Sequence, residues 1–150
     1  MSDGEILLRL GVATLAGIIL GLDRELRGIA AGIRTHALVA LSSAIITVSA
    51  MMIHEEFARQ GHSGAIDPLR VVQGLAQAVG FVAAGAIFFA KGEVHNLTSA
   101  ANIWLAAAVG IVAGAGQMML VVAGVAIGVT VLTLVRLIER VMPGNSKSSD

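Results

Sequence analysis

Long apolar runs separated by short polar stretches set the pattern of this chain. Five runs approach the roughly 17–25 mainly apolar residues that a helix needs to cross a bilayer: 6–22, 35–53, 69–90, 100–115 and 118–135. All are short. The first includes Arg9 in its first turn, so that run spans only if the arginine snorkels to the near interface. The fourth and fifth adjoin at Gly114-Ala115-Gly116-Gln117. One helix over 100–135 would be about 54 Å long, far more than the hydrocarbon layer. Two glycines and a glutamine in four residues weaken a helix there, so the pattern predicts a tight turn between two spans. The expected fold is an all-α membrane protein, a bundle of about five short transmembrane helices.

Composition supports lipid as the solvent. Hydrophobic residues make up 56% of the chain and charged residues 13%, against about 45–50% and about 25% in soluble domains. The 18 glycines and 2 prolines suit helices whose small residues let backbones pack closely in a bilayer. Cysteine is absent, which excludes disulfides, thiolate metal sites, iron–sulfur clusters and cysteine nucleophiles. Ten basic and ten acidic residues cancel, and without a basic run or an aromatic ladder nucleic acid has no electrostatic footprint. Asp3 and Glu5 precede the first run and no small-residue cleavage site follows it, so it reads as a retained span rather than a signal peptide. Residues 1–142 form one membrane domain, and 143–150 form a short polar tail.

Loop charge predicts orientation, because Lys and Arg are retained on the cytoplasmic side. Arg24, Arg27 and Arg34, then Lys91, then Arg136, Arg140 and Lys147 fall on one side. Asp3, Glu5, Glu55, Glu56, Arg59 and Asp67 fall on the other. The amino terminus is expected outside and the carboxyl terminus in the cytoplasm.

The charge centre is the stretch from Gly21 to His36, which holds Asp23, Arg24, Glu25, Arg27, Arg34 and His36. On a continuing helix Asp23 and Arg27 are four apart and pair on one face, whereas Arg24 and Glu25 need partners on other helices or in water. One reading is an interfacial anchor and topology signal. The other is an ionic cluster folded back against the bundle, with Gly28 and Gly32 permitting turns and Thr35 capping the second helix. If Arg34 lies below the headgroups it should meet Asp23 or Glu25, since an unpaired charge at depth is costly.

Other polar positions are sparse. Gln73 and Gln77 stand at helical spacing in the third run, and Thr98 and Asn102 open the fourth. They are expected either to bond between helices or to line a polar path. Gly80 and Gly85 punctuate the third run. Gly17/Gly21, Gly110/Gly114 and Gly124/Gly128 repeat the small-xxx-small spacing of close helix packing, which is compatible with a homodimer but selects no interface. His36, His54, His62 and His95 are scattered and none has zinc-ligand spacing. Asp23, Glu25 and Glu93 are the only acids worth weighing for magnesium, and solvated surface charge is their simpler role. No nucleophilic triad, phosphate loop or dinucleotide motif can be assembled; neither an enzyme nor a bound cofactor is expected.

At these residues the chain resembles the transmembrane domain of the MgtC/SapB family. The resemblance rests on Gly21-Leu22-Asp23-Arg24-Glu25, Ala31-Gly32-Ile33-Arg34-Thr35-His36 and Asp67-Pro68-Leu69-Arg70. It continues through Gly80-Phe81-Val82-Ala83-Ala84-Gly85 and Leu97-Thr98-Ser99-Ala100-Ala101-Asn102-Ile103-Trp104. It runs collinearly from about residue 7 to 134, with Asp23 in place of the usual glutamate and Ser99 in place of a threonine. The resemblance implies a multi-pass protein of the bacterial inner membrane, associated with growth at low magnesium and with virulence. Its best-known members also carry a small cytoplasmic carboxyl-terminal domain of ACT-like fold, for which no counterpart is expected in this sequence.

Two functions compete. The resemblance implies a non-enzymatic regulator of ion homeostasis that contacts another membrane complex, an ATP synthase having been the suggested target in the family. The alternative is a transporter or channel for magnesium, another cation or protons, built on the charge cluster and on Gln73, Gln77 and Asn102. Every Asp and Glu is expected in a loop or at an interface, whereas a cation pathway calls for carboxylates within the spans; this favours the regulator. Transport predicts that Asp23→Asn abolishes flux, whereas regulation predicts that leucine at Gly110 or Gly124 abolishes binding.

Overall fold

The computed structural model describes residues 1–62, 67–90 and 93–141, apart from the side chains of 89, 90, 93 and 139–141. The tail 143–150 and Lys91 lie outside these, as does the side chain of Glu93. Among the described residues five helices are long and apolar enough to cross a membrane: α1 (Asp3–Leu26), α2 (Ile33–Arg59), α3 (Leu69–Ala86), α4 (Leu97–Gly114) and α5 (Met118–Val141). A short antiparallel hairpin, β1 (Phe88–Ala90) with β2 (Glu93–His95), joins α3 to α4. The all-α bundle of five spans read from the apolar pattern is therefore the observed one.

Helix ends follow local chemistry. Ser2 caps α1 by accepting from the Glu5 amide at 3.3 Å, and α1 closes before Gly28 at φ +64°. Between α4 and α5 the expected turn is present. Gly116 sits at φ +78°, while the Gly116 and Gln117 amides donate back to Ala113 and Val112, each at 2.9 Å. This paired closure is a Schellman ending, whose left-handed residue favours glycine. The third run was expected to stay helical to Ala90, but α3 stops at Ala86. Ile87 is extended and the Asn96 side-chain Nδ2 donates to Ala86 O at 3.2 Å, so the last apolar residues of that run enter the hairpin.

Successive helices run antiparallel, so α2 and α4 run the same way, with Ala40 against Gly110 and Ala44 against Gly114. The inner group is α1, α2 and α4, with α3 and α5 flanking α4. One core joins Ala13, Ala16, Leu20, Ala44, Ala106, Val109, Ala113 and Val121, and a second joins Val79, Ala83, Ala100, Ile103 and Ala107. Alanine dominates both, so the backbones themselves approach. A Cβ at Gly17 would stand 2.5 Å from His36 O, and one at Gly110 would stand 2.3 Å from Ala40 O. Both separations are far below van der Waals contact, so α2 rests on glycine rows of α1 and α4. α5 buries little and faces outward with Met119, Val122, Ile127 and Leu137, as a lipid-facing helix must.

Candidate functional site: a buried polar layer beneath the charged loop

The site begins with the periodicity of α1. Ala13, Ala16, Gly17, Leu20, Gly21 and Arg24 are the buried positions of that helix, and their spacing of three and four residues places Arg24 on the face that meets α2 and α4. Arg24 is 1% exposed, and its guanidinium donates to the Ser99 hydroxyl at the start of α4. Ser99 passes the chain on by donating to Ala30 O at 3.3 Å in the α1–α2 loop. One turn along α4, Asn102 donates to Leu20 O at 3.0 Å. Ala30 O lies in a loop and Leu20 O within α1, and each accepts a bond from a side chain of the packed helix α4.

His36 completes the layer from α2. It is fully buried, with Nδ1 2.9 Å from Gly32 O. A carbonyl only accepts, so Nδ1 carries a proton and donates, leaving Nε2 on the other side of the ring. That Nε2 and Asn102 Oδ1 are buried with no hydrogen-bond partner among the described residues.

The acids of the motif separate. Asp23 stays at the rim, where its two oxygens accept from Arg27 at 3.2 Å and from Arg136 of α5 at 3.0 Å. The Asp23–Arg27 pairing matches the expected helical spacing, and Arg136 adds a strap across the bundle. Glu25 folds back so that Oε2 accepts from the Ile33 amide at 3.1 Å, and a Cβ at Gly32 would collide with that carboxylate. The cap of α2 is thus Glu25 rather than Thr35, which is half-buried inside the first turn; a carboxylate also complements the partial positive charge of a helix start. Arg34, for which pairing with Asp23 or Glu25 was expected only if it lay below the headgroups, is exposed. The inward arginine is Arg24, not Arg34.

The remaining polar positions do not converge. Asn102 is buried, whereas Gln73, Gln77 and Thr98 are exposed on α3 and α4. Gly110 and Gly114 meet the α2 backbone, whereas Gly80 and Gly85 have open space where a Cβ would stand. Asp23 and Glu25 are committed to different partners, and the described residues contain no group of three His, Asp or Glu side chains able to hold a metal. At the opposite end Arg9 does not snorkel to water. Its side chain is 12% exposed and donates to Gly114 O at 2.7 Å and Glu5 at 2.5 Å, placing a cation on the negative end of α4.

Sequence reasoning underrated Arg24 and Ser99. The signal for Arg24 was present: it follows Gly17 and Gly21 by seven and three residues, on the small-residue face. Ser99 had none, since its partner lies 75 positions away.

The model of the MgtC family matches residues 10–141. The chain is 38% identical over 115 residues to Protein SapB of Bacillus subtilis, covering 76% of this chain and 49% of that protein. It is 35% identical over 120 residues to the putative magnesium transporter YhiD of Escherichia coli K12, covering 80% of this chain and 55% of that one. Against Protein MgtC of Brucella abortus it is 36% identical over 104 residues, 69% and 40% of the two chains. The chain thus spans about half the length of the curated relatives it matches. No solved structure matches it. With five spans and a family match over nearly its whole length, the chain is a multi-pass bacterial membrane protein that belongs to the MgtC family.

Proposed function

We propose that this protein is a non-enzymatic regulator in the bacterial inner membrane that influences magnesium homeostasis by contacting other membrane proteins. One observation carries the reading. The buried polar and charged side chains among the described residues are Arg24, His36, Ser43, Thr47, Asn96, Ser99 and Asn102, a set with a cation and without a carboxylate. A fixed guanidinium in the inner three-helix group repels a passing cation, and low dielectric strengthens that repulsion. The Asn96 and Asn102 amides and the Ser99 hydroxyl tie one element to another, donating to Ala86 O, Leu20 O and Ala30 O. Loop charge supports an amino terminus outside and a carboxyl terminus inside, and the ATP synthase suggested by family resemblance is one partner to test.

The printed name of the Escherichia coli relative, a putative magnesium transporter, keeps transport as the second reading. Magnesium and proton flux into proteoliposomes of the purified chain separates the two. The regulator predicts flux equal to that of empty vesicles under a magnesium gradient or an imposed potential. Flux above that background, removed by Asp23→Asn, would overturn it.

A further inference from the structure

The flanking helices differ in how well they suit lipid. α5 is exposed and has the highest mean hydropathy of the five spans, as expected of a helix bathed in acyl chains. α3 is also largely exposed, burying only Leu75, Val79 and Ala83, yet its mean hydropathy is the lowest of the five. The mismatch lies on one face. Gln73, Gly74, Gln77, Phe81, Ala84 and Gly85 are all exposed, and at about 100° per residue they fall on one side of the helix. Phe81 in its middle is 84% exposed.

The two glutamines lie about 6 and 12 Å along a helix of about 27 Å, so Gln77 is near mid-membrane. Lipid tails offer neither donor nor acceptor, and a primary amide facing them is left with unmet hydrogen bonds. The glycines give a separate indication. Gly17, Gly21, Gly110 and Gly114 each press against a neighbouring backbone within the chain, whereas a Cβ at Gly74 or Gly85 would meet nothing within 4 Å. The rows of α1 and α4 are therefore used up internally, and the face of α3 still allows another helix to approach.

We infer that this face of α3 packs against α3 of a second copy of the chain, with Gln73 and Gln77 bonding to their own counterparts. The amide is the reason for a second copy rather than an unrelated helix. It carries both donors and an acceptor and so complements itself. Two copies inserted with one orientation are related by a two-fold axis along the membrane normal, which puts each glutamine at the same depth as its counterpart. Arg70 begins this face at the aqueous end of α3, where its long stem reaches water. The pairing does not depend on the regulator reading, since a transporter would present the same face.

The chain has no cysteine, so single cysteines report contacts directly. Phe81→Cys and Ala84→Cys on the α3 face, with Ile127→Cys and Val131→Cys on α5 as controls, are oxidised in native membranes at low expression. The α3 positions are expected to give a disulfide-linked band of twice the chain mass and the α5 positions none. Adding Gln73→Leu with Gln77→Leu should lower that band about tenfold, a factor equal to about 1.4 kcal/mol. Gly85→Leu, whose Cβ would meet nothing within 4 Å in one chain, should lower it while the monomer keeps its thermal stability. Equal bands from α3 and α5, adducts to other proteins instead of the doubled chain, no band from α3, or a band insensitive to the glutamine change would overturn the pairing.

Discussion

Arg24 and Arg34 stand ten residues apart in one motif and carry the same charge, yet they should behave as different residues. Arg24 is enclosed and bonded to Ser99, so Arg24→Gln removes a charged hydrogen bond from a buried site. A loss of about 2–3 kcal/mol is expected, measured as thermal or denaturant unfolding in detergent. Arg34 is exposed, and Arg34→Gln should change stability by less than about 0.5 kcal/mol. The reverse ranking would place Arg34, not Arg24, in the core. This contrast was partly legible in the chain. The three- and four-residue spacing through Ala13, Gly17 and Leu20 leads to Arg24, but its partner depends on where α4 begins, and no local pattern reports that.

At the scale of elements, glycine rows decide which helices touch. Because a Cβ at Gly110 would lie 2.3 Å from the Ala40 carbonyl, Gly110→Leu should separate α2 from α4 and cost about 3 kcal/mol or more. The sequence pattern suggested this substitution as a probe of partner binding; the packing makes it a probe of folding. Gly74→Ala meets open space and should leave monomer stability unchanged or raise it by up to about 1 kcal/mol, the ordinary helix preference for alanine. Parallel melts of the two variants check the pair. The Asp23–Arg136 contact at 3.0 Å is half-exposed and worth about 0.5 kcal/mol. Its loss in Asp23→Asn should appear as faster amide exchange in the last turns of α5 and not as global unfolding. Protection unchanged throughout α5 would show that the strap holds nothing.

For the whole molecule, orientation follows from which end bears the arginines. The Arg24–Arg136 end is expected to face the cytoplasm. In intact cells a membrane-impermeant maleimide should label Ser2→Cys and spare Ala30→Cys until the membrane is opened. The opposite labelling would invert the bundle. At this scale the polar layer, whose bonds run from α4 to α1 and to the loop before α2, adds to cohesion. It joins helices whose core is mainly alanine and whose apolar surfaces gain little from leaving lipid, so packing and hydrogen bonds supply the association.

The number of spans, the turn at Gly116 and the gathering of charge at one end were set by the sequence alone. Each is a property of a single segment: transfer into hydrocarbon is summed residue by residue, and a left-handed turn needs its glycine locally. The tertiary structure decided which arginine turns inward, which glycines are consumed by packing, and that Glu25 caps α2. These depend on how each helix is rotated about its axis and on partners as far apart as Arg24 and Ser99. In a bilayer, where lipid solvates every apolar face equally well, hydrophobic pattern does not fix that rotation; close backbone contact and the satisfaction of buried polar groups do.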